Sequence, residues 1–110
     1  MAAGIARGEV RLYQFAPPHK KRPAVVLTRD SSIRLLSSVT IAPITSTVRG
    51  VASEVVLNEE DGMKSVCAVN LHNVLTIAQG RLGKRVGQLS EARMREICAA
   101  LGYSLGCDPH

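Results

Sequence analysis

The stretch Lys20-Lys21-Arg22-Pro23-Ala24-Val25-Val26-Leu27 narrows most what this chain can become. A cationic loop ends at a proline and runs directly into an apolar strand. Proline is tolerated at the first strand position because its missing N–H falls before the ladder begins. From Ala24 to Leu27 no polar residue alternates with the apolar ones, which reads as a central strand covered on both faces. Arg22 is thereby expected at the rim of the core with its guanidinium free, a good place to hold a phosphate.

The rest of the chain reads as short strands closed by one helix. Glu9-Val10-Arg11-Leu12-Tyr13-Gln14 alternates polar and apolar, a strand with one wet face. Pro17-Pro18 stops it, the central strand spans roughly 23–28, and Arg29-Asp30-Ser31-Ser32 is a turn cluster. Val39 to Ile44 is a third strand, with Pro43 implying an edge or bulge before the hydroxyl-rich turn Thr45-Ser46-Thr47. Glu54 to Leu57 is a fourth, and Asn58 to Lys64 a connection. Val66 to Ile77 reads as one bent strand, broken at Gln79–Gly83 by a short helical turn, with Lys84 to Leu89 as a final strand. Ser90 caps a helix carrying Glu91 in its first turn. Its stripe is Met94, Ile97, Cys98, Leu101 and Leu105, with fraying expected after Leu101 at Gly102. The fold class is mainly β: a small, highly bent sheet or barrel of five to six strands with a C-terminal α-helix.

Composition limits the function classes. At 110 residues the chain is read as a single domain, 1–110, large enough for one core without staples. Fourteen Lys and Arg against nine Asp and Glu leave a charge of +5, which fits a polyanionic partner. The aromatics are only Tyr13, Phe15 and Tyr103, against a binder that works mainly by base stacking. Cys67, Cys98 and Cys107 lack any CxxC spacing, and the histidines lack ligand spacing, so neither a disulfide framework, a metal site nor a cofactor is expected. Cys67 and Cys98 read as small core residues. No apolar run reaches membrane-spanning length and no signal h-region opens the chain, so the expected setting is the cytoplasm.

Five elements taken in order resemble the MazF/PemK (Kid) toxin family: Arg7-Gly8-Glu9-Val10, Arg22-Pro23-Ala24-Val25-Val26, Ala42-Pro43-Ile44-Thr45-Ser46, Val74-Leu75-Thr76-Ile77 and Arg85-Val86-Gly87, before the terminal helix. The resemblance spans nearly the whole chain. It implies an SH3-like β-barrel that forms a homodimer. It further implies an endoribonuclease toxin that cuts single-stranded RNA at short sequences without a metal and is silenced by a cognate antitoxin.

Metal-free cleavage uses the 2′-OH as internal nucleophile and leaves a 2′,3′-cyclic phosphate and a 5′-OH. It needs a base, an acid, and donors or cations for the charged phosphorane. Arg22 matches the family's catalytic arginine, and its planar fork suits two phosphate oxygens. Thr45 matches the functional threonine, its hydroxyl able to donate and accept; as a turn residue it would instead bond its own backbone. His19, three residues before Arg22, and His72 are the candidate proton carriers. The family's loop histidine sits farther from its arginine, and Asn70 and His72 stand where one branch carries Arg and Asp. As a structural residue, His72 would be half-buried in a strand. Lys20, Lys21, Ser46 and Arg49 are the expected RNA contacts. Two other readings stay open: a CcdB-like toxin that poisons a protein such as gyrase, and a noncatalytic SH3-like nucleic-acid module.

Overall fold

The central strand forms on the apolar run but starts and ends two residues earlier than predicted, so Lys21 and Arg22 belong to it and Pro23 is its third residue. In the computed structural model, which describes residues 4–18 and 20–107, β2 (Lys21–Val26) lies between β1 (Glu9–Gln14) and β3 (Ser38–Thr45). Val25 enters one apolar cluster, while Ala24 and Val26 enter another on the opposite face. A strand buried on both faces has no need of alternation. The remaining strands are β4 (Glu54–Leu57), β5 (Cys67–Asn70), β6 (Leu75–Ala78) and β7 (Arg85–Gln88). All pairings are antiparallel, in the order β4-β5-β3-β2-β1-β7, with β6 also on β3. The result is the bent sheet anticipated, with a C-terminal helix, α2 (Glu91–Leu105), packed on the larger cluster through Met94, Ile97 and Ala100.

β3 is long because it serves different neighbours along its length. Ser38 to Ile41 pair with β6, whereas Ile44 and Thr45 pair with β5. On its other edge β3 pairs with β2 from Val26↔Ile41 to Ala24↔Pro43. The Leu27 N–H donates to the Thr40 carbonyl at 2.9 Å. Antiparallel alternation then turns the nitrogen of Pro43 away from β2, into the gap between the β6 and β5 pairings. Pro43 therefore sits mid-strand without costing a ladder bond. It marks neither the edge nor the bulge that the sequence led us to expect.

Further expectations need correcting. The stretch from Val66 to Ile77 is two strands, β5 and β6, because the Asn70 carboxamide accepts the His72 N–H at 3.1 Å and closes a side-chain turn between them. That raises the described strands to seven. The Arg29–Ser32 cluster holds one helical turn, α1 (Asp30–Ile33), which buries Ile33. Behind it Gln79 Nε2 donates to the carbonyls of Ile33 and Leu36 at 2.9 and 2.8 Å.

Helix α2 also runs one turn beyond its expected end. Gly102 lies within it, and the left-handed cap is Gly106 at φ 74°, whose N–H reaches the Gly102 and Tyr103 carbonyls. A helix-interior glycine costs about 1 kcal/mol, too little to stop a helix that tertiary packing holds. The buried stripe is narrower than predicted: Cys98 is exposed, as is Leu105, while Cys67 is buried as expected. At its other end Ser90 Oγ accepts from the Arg93 N–H at 3.1 Å, the predicted cap.

One ion pair fastens α2 to the connection between β4 and β5. Arg93 Nε lies 3.0 Å from Asp61 Oδ1, and the second Asp61 oxygen accepts the Asn58 N–H at 3.0 Å. Burial pushes the Asp61 carboxyl up, but the hydrogen bonds from Arg93 and Asn58 and the guanidinium charge outweigh it and hold the group below the ordinary carboxylate value. Arg93 is raised in turn, chiefly by its bond to Asp61.

Two expectations follow for stability, both read from urea unfolding. Ile97→Ala, which empties a site 1% exposed, costs roughly 2–5 kcal/mol, whereas Cys98→Ala stays within about 0.5 kcal/mol of the parent. The Asp61 contribution is full above the unfolded carboxylate value, near pH 4, and is lost as pH falls through the lower folded value. Asp61→Asn should therefore destabilise at neutral pH, by roughly 1.5–3 kcal/mol for a charge-assisted bond. The gap from the parent should close in acid.

Candidate active site

The site opens where β2 and β3 part. Ala24↔Pro43 is their last pair. Before it, Arg22 pairs with Tyr13 of β1; after it, Thr45 pairs with Ala68 of β5. The two strand ends are thus drawn to different neighbours, and the prolines at positions 23 and 43 flank the opening. A cavity of about 690 Å³ fills the divergence. Lys20, Lys21, Arg22 and Pro23 form one wall, and Ile44, Thr45 and Ser46 lie along its floor. Met63, Lys64 and Ser65, from the β4–β5 connection, line it as well. A neighbouring cavity of about 590 Å³ is lined by Phe15, Pro43, Thr47, Arg49, Asn70 and Asn73. Arg22 and Thr45 line both cavities. They stand on the ridge between them.

The predicted cations are available. Arg22, Lys20, Lys21 and Arg49 are exposed, and among the described residues no side-chain hydrogen bond or ion pair engages them. Among the described residues no Asp or Glu lines either cavity. The nearby acids are occupied elsewhere: Glu9 is buried beside Arg11 at 2.8 Å and Arg85 at 3.6 Å, and Asp61 faces Arg93. Glu54 Oε1 instead accepts the backbone N–H groups of Arg49 and Gly50 at 2.8 and 2.6 Å, which fixes the loop carrying Arg49.

Thr45 is half-buried, and its Oγ1 accepts the Thr47 N–H at 3.1 Å. The turn bond and an outward role are compatible, because the hydroxyl hydrogen remains to be donated. Ser46 is exposed on the floor of the first cavity. His72 is placed differently from its expectation. It is exposed in the β5–β6 turn, its Nδ1 lies 2.6 Å from Ser53 Oγ, and it lines neither cavity. His19 lies outside the described residues.

The structure adds residues that sequence reasoning passed over. Phe15 turns its ring to the second cavity, edge-on to Tyr13 at 4.8 Å between centroids, so one of the few aromatics is at the site after all. Lys64 is exposed and unpaired among the described residues, and it adds a fourth cation to the first cavity. Its only sequence signal was a place after the Asp61-Gly62 turn. Cys67 also borders this cavity; burial, then the Asp61 charge, push its thiol up and keep it protonated at neutral pH. Among the described residues no three His, Cys, Asp or Glu side chains converge as a metal site would require.

The arrangement can bind a phosphodiester strand: among the described residues it sets an unpaired guanidinium and a hydroxyl on a ridge, with cations on its flanks and no carboxylate in the walls. Comparison with known proteins shows the family. Residues 6–105 match the family described as PemK-like, MazF-like toxin of type II toxin-antitoxin system. A Mycobacterium tuberculosis protein, "Probable endoribonuclease MazF5", is 44% identical over 108 residues, or 97% of this chain and 98% of that one. The solved "Mycobacterium tuberculosis toxin MazF-mt6" superposes with a TM-score of 0.82 at 33% identity, covering 91% of this chain and 98% of its own. A mycobacterial endoribonuclease solved with its cognate antitoxin shares the fold, with a TM-score of 0.84 at 24% identity over 96% of this chain and 98% of that one. On this family match over almost its whole length, the chain belongs to the PemK-like, MazF-like toxins of type II toxin–antitoxin systems, a family of endoribonucleases.

Proposed function

We propose that this toxin cuts single-stranded RNA by driving the 2′-OH of one nucleotide onto its own 3′-phosphate, with no metal in the reaction. The observation that carries the reading is the Arg22 guanidinium on the ridge between two cavities, unpaired and with no carboxylate in the walls among the described residues. The scissile phosphate rests on that ridge. Arg22 meets two of its oxygens in a fork and neutralises charge as the phosphorane forms. Thr45 donates its hydroxyl hydrogen to a non-bridging oxygen. The bond from O2′ to phosphorus forms, the bond to the 5′-oxygen breaks, and the products are a 2′,3′-cyclic phosphate and a 5′-OH. Because the nucleophile belongs to the substrate, orientation supplies much of the acceleration.

His19, the sequence neighbour of cavity-lining Lys20, is the proton carrier in this proposal, since histidine is the side chain best suited to serve as either base or acid near neutral pH. His72 faces Ser53 away from both cavities and is not assigned a proton-transfer role. Lys20, Lys21, Ser46 and Arg49 hold the flanking backbone, and the Phe15 ring offers a flanking base a face to stack on.

The same surface accounts for partners. An antitoxin with an acidic, apolar-rich tail would find the unpaired cations and gain on-rate from the charge. The toxin acts as a homodimer in the cytoplasm. Leu35 and Leu36, 84% and 54% exposed, supply apolar surface for association, and three unpaired cysteines suit a reducing compartment.

Arg22→Ala tests the assignment. Turnover on single-stranded RNA should fall by roughly 10²–10³-fold, as for loss of one preorganised donor to a developing oxyanion. Binding of an uncleavable RNA with 2′-deoxy at the scissile nucleotide should weaken far less. Arg22→Lys should restore affinity before rate, since an ammonium lacks the fork. Full turnover by Arg22→Ala would refute the site.

A further inference from the structure

The Asp61–Arg93 pair has a second consequence beyond tying α2 to the sheet. It ends the short turn Glu59–Asp61, whose capping box at Asn58 uses both the Asn58 side chain and the Asp61 carboxylate. The chain then turns through Gly62 in the left-handed region, at φ 89°, and delivers Met63, Lys64 and Ser65 to the wall of the larger cavity. No hydrogen bond engages Lys64 or Ser65 among the described residues. The segment's position is therefore set at its base, by a clamp rooted in the C-terminal helix. We propose that Lys64 is an RNA-contacting residue that grips the backbone phosphate flanking the scissile one, and that Asp61 and Arg93 are positioning residues that set its reach.

This rests on the reading of the cavity as the RNA cleft, and several features support it. Lys64 lines the same space of about 690 Å³ as Lys20, Lys21 and Arg22, large enough for a nucleotide with its phosphate. Four cations and the apolar side chains of Val10, Leu12, Ile44 and Val86 line it together. Phosphates on successive nucleotides fit the walls and a base or sugar fits the middle. A lysine left unpaired at the mouth, while the adjacent Asp61 is occupied by Arg93, keeps its full charge for the strand. Releasing Asp61 would do two things at once: loosen the turn and place a free carboxylate close to Lys64. Helix α2 thereby sets the charge of a cleft it does not line.

The test compares Lys64→Ala, Arg93→Ala and their double variant with a charge control, Arg34→Ala, which removes a cation from outside both cavities. Thermal unfolding first establishes that each variant is folded at the assay temperature. Lys64→Ala should raise KM for single-stranded RNA by roughly three- to fivefold, the scale of one exposed ionic contact, with kcat nearly unchanged. Its binding of the 2′-deoxy RNA should show a slope of log K against log salt flatter by roughly 0.7. Arg93→Ala should reproduce the rise in KM, and the double variant should be no worse than the more affected single one. Arg34→Ala should leave KM at the parent value. An unchanged KM and salt slope in Lys64→Ala, in a parent that cuts RNA and loses cutting on Arg22→Ala, would overturn the Lys64 contact while sparing the reaction. Effects of Lys64→Ala and Arg93→Ala that simply multiply would overturn the positioning role. Full cutting by Arg22→Ala would instead remove the cleft assignment on which both stand.

Discussion

The parting of β2 from β3 is the constraint on which the rest depends. An antiparallel pair stays together while each residue offers a donor and an acceptor to its neighbour. Here pairing ends at Ala24↔Pro43, with Pro23 one residue away on the opposite strand. Beyond it β2 keeps its bonds to β1 and β3 takes new ones to β5. Both strand ends therefore remain hydrogen-bonded on one side while the space between them opens. Arg22 and Thr45 stand on rigid ladder positions at the lips of that opening, not on free loops. Groups held this way lose little entropy when they meet a transition state.

Charge placement completes what the backbone geometry begins. Acids near the opening are turned inward or tied down: Glu9 between Arg11 and Arg85, Asp61 against Arg93, Glu54 on two backbone amides. Among the described residues, the charged side chains that line the walls are all cations. For a chain whose net charge is only +5, the local field at the cleft exceeds what the total implies. The same inward-facing acids brace the sheet and α2, so stability and substrate attraction draw on one set of ion pairs.

Much of this was legible in the sequence, because the central strand and the site share one motif. The apolar run after Pro23 announced a doubly covered strand, and the cations before it announced the rim. Ser90 announced its helix through cap chemistry. What was missed depended on side chains acting at a distance. The carboxamide of Asn70 closes a turn inside a run of strand-forming residues, and periodicity does not show that. Pro43 suggested an edge or a bulge because nothing in the sequence tells that β3 changes partners there. The tilt of α2 on the sheet decides that Ala100 is buried while Cys98 is exposed, and both spacings fit an apolar stripe. Lys64 and Phe15 reach the cavities only because distant segments fold beside them. His72 had the right residue type, but the Asn70 turn carries it away from the cleft.

The central claim is that these strand ends present a phosphate to its own 2′-OH and stabilise the charge that develops. The most direct measurement incubates the purified toxin, free of antitoxin, with a long unstructured RNA in excess EDTA and maps the fragment ends chemically. The account predicts discrete cuts that leave 2′,3′-cyclic phosphate and 5′-OH termini and that vanish when the scissile nucleotide is 2′-deoxy. Cuts bearing 5′-phosphate, or cleavage that survives loss of the 2′-OH, would contradict it.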